Sequence, residues 1–311
     1  GAGPTVTVTD AAPVSTNTTR GILLPFALVT LIWSSTWIVI RDQLGTVPPS
    51  WSVCYRFLLA SIAMAIFARI RGVSLRIGGP GMMFAGLLGT AQFMLNFNFV
   101  YRAEQHLTSG VVAVIYAMLL IPNSLLAYVA FRQPVTRGFV LGSAIAMTGI
   151  VMMLVHEYRA ADVAPDTVLL GAAFSILGLL SASVANVMQG TDIARRLPMM
   201  AVLAWAMLIG AVVDAGFAWA TAGPPVIELR LGYLAGIAYL GIAGSVVTFP
   251  LYFRLIQTIG AGRAAYTAVL IPVIAMLIST LLEGYRWTGF AAPGAVLAVA
   301  GMVVAMRSKN P

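Results

Sequence analysis

The apolar residues of this chain neither alternate with polar ones nor thin out; they run on in blocks. The blocks lie near 21–40, 51–70, 81–101, 107–131, 137–155, 167–189, 199–221, 231–253, 263–282 and 288–306, joined mostly by short links. At a rise of about 1.5 Å per residue, each is long enough to cross the roughly 30 Å of hydrocarbon in a bilayer. Continuous runs predict helices, because strands of a membrane barrel would show an apolar–polar dyad. The expected fold is an all-α membrane protein with ten transmembrane helices. The third block is interrupted by Gln92, Asn96 and Asn98, and the sixth ends in Asn186 and Gln189, so these two are the least apolar.

Composition agrees with a lipid solvent. Hydrophobic residues make up 60% of the chain and charged residues 9%, against about 25% charged in ordinary soluble domains. The net charge of +8 comes from arginines scattered between apolar blocks. They form no basic stripe of the kind that grips nucleic acid, so no nucleic-acid partner is expected. Cys54 is alone, which leaves no internal disulfide and no CxxC metal site. His106 and His156 are far apart and have no ligand partner at helical spacing, so no metal is expected. No Walker loop, Rossmann fingerprint or nucleophile elbow occurs, so neither a cofactor nor catalysis is expected. Residues 1–20, which lack an initiating Met, read as an unstructured tail that begins with a cloning remnant. No cleavable signal peptide is expected, since the first apolar stretch is longer than a signal h-region.

The chain repeats itself. Gly110 to Pro122 opens an apolar span, Arg132-Gln-Pro134 breaks it, and Gly138 to Met153 is a Gly- and Ala-rich close. Gly262 to Pro272, the break Glu283-Gly-Tyr-Arg286 and the span Gly289 to Ala305 follow the same plan. One interval separates both Pro122 from Pro272 and Tyr116 from Tyr266; nearly the same interval relates Gly142 and Gly149 to Gly294 and Gly301. The expected units are residues 21–156 and 165–306, five spans each. An odd number of spans inserts the second copy upside down, which gives two inverted five-helix repeats able to rock about a midplane site. Proline in the same span of both copies marks paired bends, either gates on a substrate path or plain packing kinks. Gly110, Pro122, Gly262 and Pro272 are the expected gating positions.

Orientation follows from the arginines. With the N-terminus inside, the inner segments hold Arg20, Arg69, Arg71, Arg76, Arg132, Arg137, Arg195, Arg196, Arg254, Arg263, Arg307 and Lys309. The outer ones hold only Arg41, Arg102, Arg159, Arg230 and Arg286. Both termini are expected on the cytoplasmic side.

The run Leu107-Thr-Ser-Gly-Val-Val-Ala-Val-Ile-Tyr followed by Pro122, Gly142 and Gly149 resembles the EamA repeat of the drug/metabolite transporter superfamily. The second copy is closer: Tyr252-Phe-Arg-Leu-Ile-Gln-Thr-Ile-Gly-Ala-Gly-Arg-Ala, then Pro272, Glu283, Gly294 and Gly301. Trp33-Ser-Ser-Thr-Trp37 and the trio Pro48, Arg56 and Phe57 also look like that family's first two spans. The resemblance covers about residues 21–306. It implies ten helices in two inverted bundles and export of small metabolites, amino acids among them, across a bacterial inner membrane. One departure is visible: the family often has Gly-Glu after the fourth span, and the first copy has Gln133-Pro134 there, with no acid.

Several polar residues stand inside spans and are candidates for a substrate cavity. Arg56 lies within the second span, where a cation is costly and calls for a partner. It either attracts a substrate carboxylate or snorkels and pairs within the protein. Asp214 reads as the only carboxylate well inside a span, a proton relay or a structural group. Gln92 with Asn96, Trp33 and Ser34 with Trp37, and Ser183 with Asn186 share helix faces. These faces should turn inward, to substrate or to another helix. Tyr116, Tyr266, Tyr239 and Trp205 could add amphipathic walls, or anchor at the membrane interface. Gly138/Gly142 and Gly232/Gly236 are small-xxx-small faces for close helix contact. The expected function is a secondary exporter of amino acids or similar small metabolites, working by alternating access as facilitated diffusion or exchange. Its partners are a small amino acid-like substrate and the lipid bilayer. A multidrug or nucleotide-sugar carrier is the alternative. A membrane enzyme would need clustered His, Asp or Ser in the spans, and a pore would need a repeated lining motif; neither is found.

Overall fold

The computed structural model describes residues 17–160, 164–282, 286–287 and 289–308. Most of the expected tail, the acid-bearing break at Glu283-Gly284 and Lys309 lie outside the described residues. Ten long helices follow one another: α1 (Asn17–Asp42), α2 (Pro49–Ile70), α3 (Gly78–His106), α4 (Ser109–Phe131), α5 (Arg137–Ala160), α6 (Pro165–Met188), α7 (Met199–Ala222), α8 (Leu231–Ile259), α9 (Ala261–Ala264 continuing as Tyr266–Leu282) and α10 (Ala291–Arg307). A short helix, Asp192–Arg196, links α6 to α7. Among the described residues nine of these helices are long and apolar enough to cross a membrane, and α10 is somewhat shorter.

Local chemistry sets several ends. Pro49 and Pro165 stand in the first turns of α2 and α6, where a missing N–H costs no ladder bond. Thr108 caps α4, its hydroxyl oxygen accepting from the Val111 N–H. Gly260, at φ +87°, takes the left-handed turn that separates α8 from α9.

The third helix of each half departs from the hydropathy reading. The expected spans 81–101 and 231–253 are α3 and α8, each 29 residues long. Their last turns are more polar because they are covered by protein: Glu104 on α3 and Leu255 and Ile256 on α8 are buried. Both helices also widen into π-helical turns at equivalent places, Gly89–Asn96 and Ile242–Val247. Widened turns of this kind recur at functional sites. The first is pressed against α7, where a Cβ on Gly89 would come to 2.2 Å from the Ala206 carbonyl oxygen.

The inverted repeat is visible where α5 crosses α10. A Cβ on Gly142 would lie 2.5 Å from the Gly301 oxygen, and one on Gly149 2.4 Å from the Gly294 oxygen. The repeat pairs Gly142 with Gly294 and Gly149 with Gly301. It therefore exchanges these two contacts, as a twofold axis between antiparallel helices requires. The other pairings follow the same swap: α1 packs on α8 and α9, its counterpart α6 packs on α3 and α4, and α2 packs on its own counterpart α7. Gly138 adds to the α5–α10 contact, whereas Gly236 lets α1 approach α8 at Gln43.

The two prolines do not act alike. Before Pro122 the helix tightens into a 3-10 turn at Ala117–Leu119, while Pro272 sits inside a regular α-helical segment. In α9 the break falls earlier, at Ala265.

Candidate functional site

Between the halves lies a cavity of about 90 Å³, walled by α1, α2, α3, α4, α6, α8 and α9. Six of the expected residues meet in its wall: Trp33, Trp37, Arg56, Asn96, Tyr116 and Asn186. They arrive from five different helices, so only the fold could join them.

Arg56 is 1% exposed, so it does not snorkel. Its Nη2 donates to the Gly244 carbonyl at 3.0 Å and its Nε to Ser245 Oγ at 3.1 Å, both in the π-helical turn of α8. The guanidinium also lies over Phe97, 4.5 Å from the ring centroid, and over Phe57 at 5.1 Å. The Tyr101 hydroxyl is close by. Nη1 makes no hydrogen bond of ordinary geometry, and among the described residues no carboxylate is within ion-pair distance. Among the described residues, this buried cation is held by dipoles and aromatic faces and by no ion pair.

The remaining wall is aromatic with a few aimed polar groups. Trp33 Nε1 donates to the Gly244 carbonyl at 3.1 Å and to Thr248 Oγ1 at 3.0 Å, and its ring packs on Tyr252 and Phe249. Trp37 meets Tyr116 edge-on at 5.6 Å, and the Tyr116 hydroxyl donates to Asn96 Oδ1 at 2.7 Å. Asn186 Nδ2 donates to the Tyr252 hydroxyl at 3.2 Å, while Asn186 Oδ1 has no partner.

Five expected site residues lie elsewhere. The Ser34 hydroxyl turns back to the Thr30 carbonyl within α1. Gln92 sits behind Asn96, whose Nδ2 donates to it at 3.5 Å. Ser183 is buried but off the cavity wall. Tyr239 is 37% exposed and hydrogen-bonded to Ser35 on the outer face of the bundle. Tyr266, the sequence twin of Tyr116, is buried against α5, where its hydroxyl pairs with Ser143 at 3.1 Å. Trp205 also stays off the cavity, donating to the Leu75 carbonyl at 2.7 Å. Tyr252, Phe97 and Phe249 are wall residues that the pattern of polar positions did not reveal.

A second hollow of about 350 Å³ opens a turn further along the bundle, at the end that carries Arg195 and Arg263. Gly262 lies in its wall, where a Cβ would come to 2.8 Å from Ser124 Oγ. Nearby, Asn123 Nδ2 donates to the Ala261 carbonyl at 3.1 Å and ties α4 to α9. Gly110 is in the first turn of α4, and Pro272 is buried next to Ile271 of the central wall. At the other end, the ion pair Arg230–Asp42 at 2.9 Å and the Gln43 Nε2 bond to the Tyr233 carbonyl bind α1 to α8.

Among the described residues two carboxylates are buried, not one. Asp214 is 0% exposed; its Oδ1 accepts from Asn98 Nδ2 at 2.5 Å, and Asn98 Oδ1 accepts from Ser50. Glu104 is 3% exposed, with the Ser109 hydroxyl as its near polar neighbour. It stands one turn beyond Val100 of the cavity wall, in the part of α3 that the hydropathy reading cut off. Neither acid lines the cavity. Among the described residues there is no group of His, Cys, Asp and Glu fit to hold a metal.

The comparisons agree with this geometry. The profile of the EamA-like transporter family matches twice, over residues 19–155 and 169–307. The protein PagO of Salmonella typhimurium is 23% identical over 267 residues, 85% of this chain and 86% of that one. An uncharacterized inner membrane transporter, YedA, of Escherichia coli is 29% identical over 261 residues, covering 83% and 81%. A probable amino-acid metabolite efflux pump of Escherichia coli is 21% identical over 288 residues, covering 89% and 92%. A solved crystal structure shares the fold with a TM-score of 0.73 at 20% identity, over 92% of this chain and 96% of the other. With both halves matched, this chain is a multi-pass membrane transporter, not an enzyme, and it belongs to the EamA-like transporter family.

Proposed function

We propose that the protein exports small carboxylate-bearing metabolites, amino acids and their like, across the bacterial inner membrane. Alternating access of the two halves about the central cavity is the mechanism. The observation that supports this most is Arg56: a buried cation in the cavity wall, with no carboxylate of the described residues at ion-pair distance. Its ligand is a carboxylate, which answers the buried positive charge and accepts a charge-assisted hydrogen bond from Nη1.

The arginine bias supports a cytoplasmic side for both termini and for the hollow beside Arg195 and Arg263. Solute would then enter from the cytoplasm and leave past Glu104 and the Arg230–Asp42 pair. Gly110, Pro122, Gly262 and Pro272 are the positions proposed to bend as the halves rock. The units that rock are residues 21–156 and 165–306. Glu104 and Asp214 both lie off the cavity wall, which favours facilitated diffusion or exchange over obligatory ion coupling. The name of the Escherichia coli efflux pump supports the amino acid reading.

Purified protein in liposomes tests it. Amino acids loaded inside should exchange with external label without an imposed gradient, and Arg56→Ala should lower that flux at least tenfold. Efflux that runs only under an imposed proton gradient would remove the passive mechanism. Unchanged flux in correctly inserted Arg56→Ala and Arg56→Lys would remove the carboxylate site.

A further inference from the structure

The cavity offers charge of one sign only. Of the described residues in its wall, Arg56 is the single ion, and none is Asp or Glu. The buried acids, Glu104 and Asp214, lie outside that wall. Two polar atoms of wall residues are buried and make no hydrogen bond of ordinary geometry: the Arg56 Nη1 donor and the Asn186 Oδ1 acceptor. The rings of Trp33 and Tyr252 are 4.9 Å apart at their centroids; Trp33 shares the Gly244 carbonyl with Arg56, and the Tyr252 hydroxyl accepts from Asn186.

These two ends set different requirements. A carboxylate answers Arg56 with charge and geometry. Asn186 Oδ1 is neutral, so it takes an O–H as readily as an N–H. An ammonium there gives up its hydration and gains no counter-charge, whereas a hydroxyl gives up far less. The Trp33 and Tyr252 rings offer an ammonium aromatic faces, which recover only part of that loss. The size is also limiting. By the same measure one water needs about 10–15 Å³, so a cavity of about 90 Å³ suits a short solute.

We infer that the cavity selects small monocarboxylates bearing a neutral hydrogen-bond donor, 2-hydroxy acids foremost, and that the ammonium of an amino acid is dispensable. This rests on the reading of the cavity as the carrier site and narrows its substrate class. Arg56 holds the carboxylate, Asn186 Oδ1 accepts from the hydroxyl, and the Trp33–Tyr252 wall packs the apolar body.

The test uses the full chain in nanodiscs and four probes with one isobutyl body: 2-hydroxyisocaproate, 4-methylpentanoate, leucine and isopentylamine. Binding is read by titration calorimetry and exchange in liposomes. The hydroxy acid should bind best, leucine about tenfold more weakly, 4-methylpentanoate between them, and the amine not measurably. Arg56→Gln should abolish binding of the hydroxy acid, and Asn186→Ala should erase its advantage over 4-methylpentanoate. Leucine or the amine binding as tightly as the hydroxy acid would overturn the inference while leaving the carrier site intact, provided Arg56→Gln removes leucine. Hydroxy acid binding that survives Arg56→Gln also overturns it. If none of the four binds or exchanges, the carrier-site reading itself falls, and this inference with it.

Discussion

Arg56 Nη2 donates to the Gly244 carbonyl at 3.0 Å, and so the second helix of one half is fastened to the third helix of the other. The same carbonyl accepts from Trp33 of α1, using both lone pairs. Gly244 lies in the π-helical turn of α8. One widened turn therefore positions both the cavity's charge and one of its aromatic walls. Arg56→Gln should keep the fold, because it removes a buried charge that has no ionic partner to strand. Its melting temperature should match or exceed that of the wild type, while exchange falls at least tenfold. Arg56→Lys should rescue only in part, since an ammonium cannot reproduce the spread donors of Nε and Nη2. A large drop in melting temperature for Arg56→Gln would mean that the residue is a structural tie.

The α5–α10 crossing gives a symmetry test. Gly142 and Gly294 occupy equivalent places, and a side chain on either meets backbone of the other helix inside 3 Å. Gly142→Leu and Gly294→Leu should each destabilise by about 1–3 kcal/mol or more, through overpacking that backbone cannot relieve. Gly216→Leu, where nothing lies within 4 Å, should be nearly silent. Thermal melts in detergent compare the three. Unequal losses at the first two positions would contradict the twofold relation.

Tyr116 and Tyr266 test whether the repeats share function as well as sequence. The Tyr116 hydroxyl donates to Asn96 in the cavity wall, whereas that of Tyr266 pairs with Ser143 away from it. Tyr116→Phe leaves Asn96 Oδ1 short of a donor, at a cost of about 1–3 kcal/mol. It should raise the KM for exchange. Tyr266→Phe should leave KM unchanged. Matching kinetics for the two variants would place both tyrosines on the substrate path.

Glu104 and Asp214 decide the coupling. Glu104→Gln removes a buried acid that makes no ion pair among the described residues and keeps an acceptor for Ser109, so stability should hold or rise. Asp214→Asn keeps an acceptor for Asn98. Gradient-free counterflow should stay within about twofold of wild type in both, on the passive mechanism proposed above. Loss of counterflow in either variant would make that acid part of the transport cycle.

Much of this architecture can be read from the chain before any coordinates. Apolar runs long enough to span lipid locate the helices, because an unsatisfied backbone in hydrocarbon is too costly for any other open structure. The duplicated prolines and glycines expose the repeat, and Arg56 stands out because a charge in such a span needs a reason. The ends of α3 and α8 were cut short because their polar last turns are shielded by neighbouring helices, not by lipid. That shortening also hid Glu104.

Rotation of each helix about its own axis is another matter. A span that is apolar nearly all round has no stripe to say which side faces the centre. Tyr116 turns to the cavity and its twin Tyr266 does not; Tyr239 looks outward, and Ser34 folds back on its own helix. The sequence alone settles what enters the membrane, how often the plan repeats and which residues are too polar to face lipid. Tertiary packing settles which of those residues meet, because contacts such as Arg56 with Gly244 join positions far apart in the chain, and only the docking of whole helices brings them within hydrogen-bond reach.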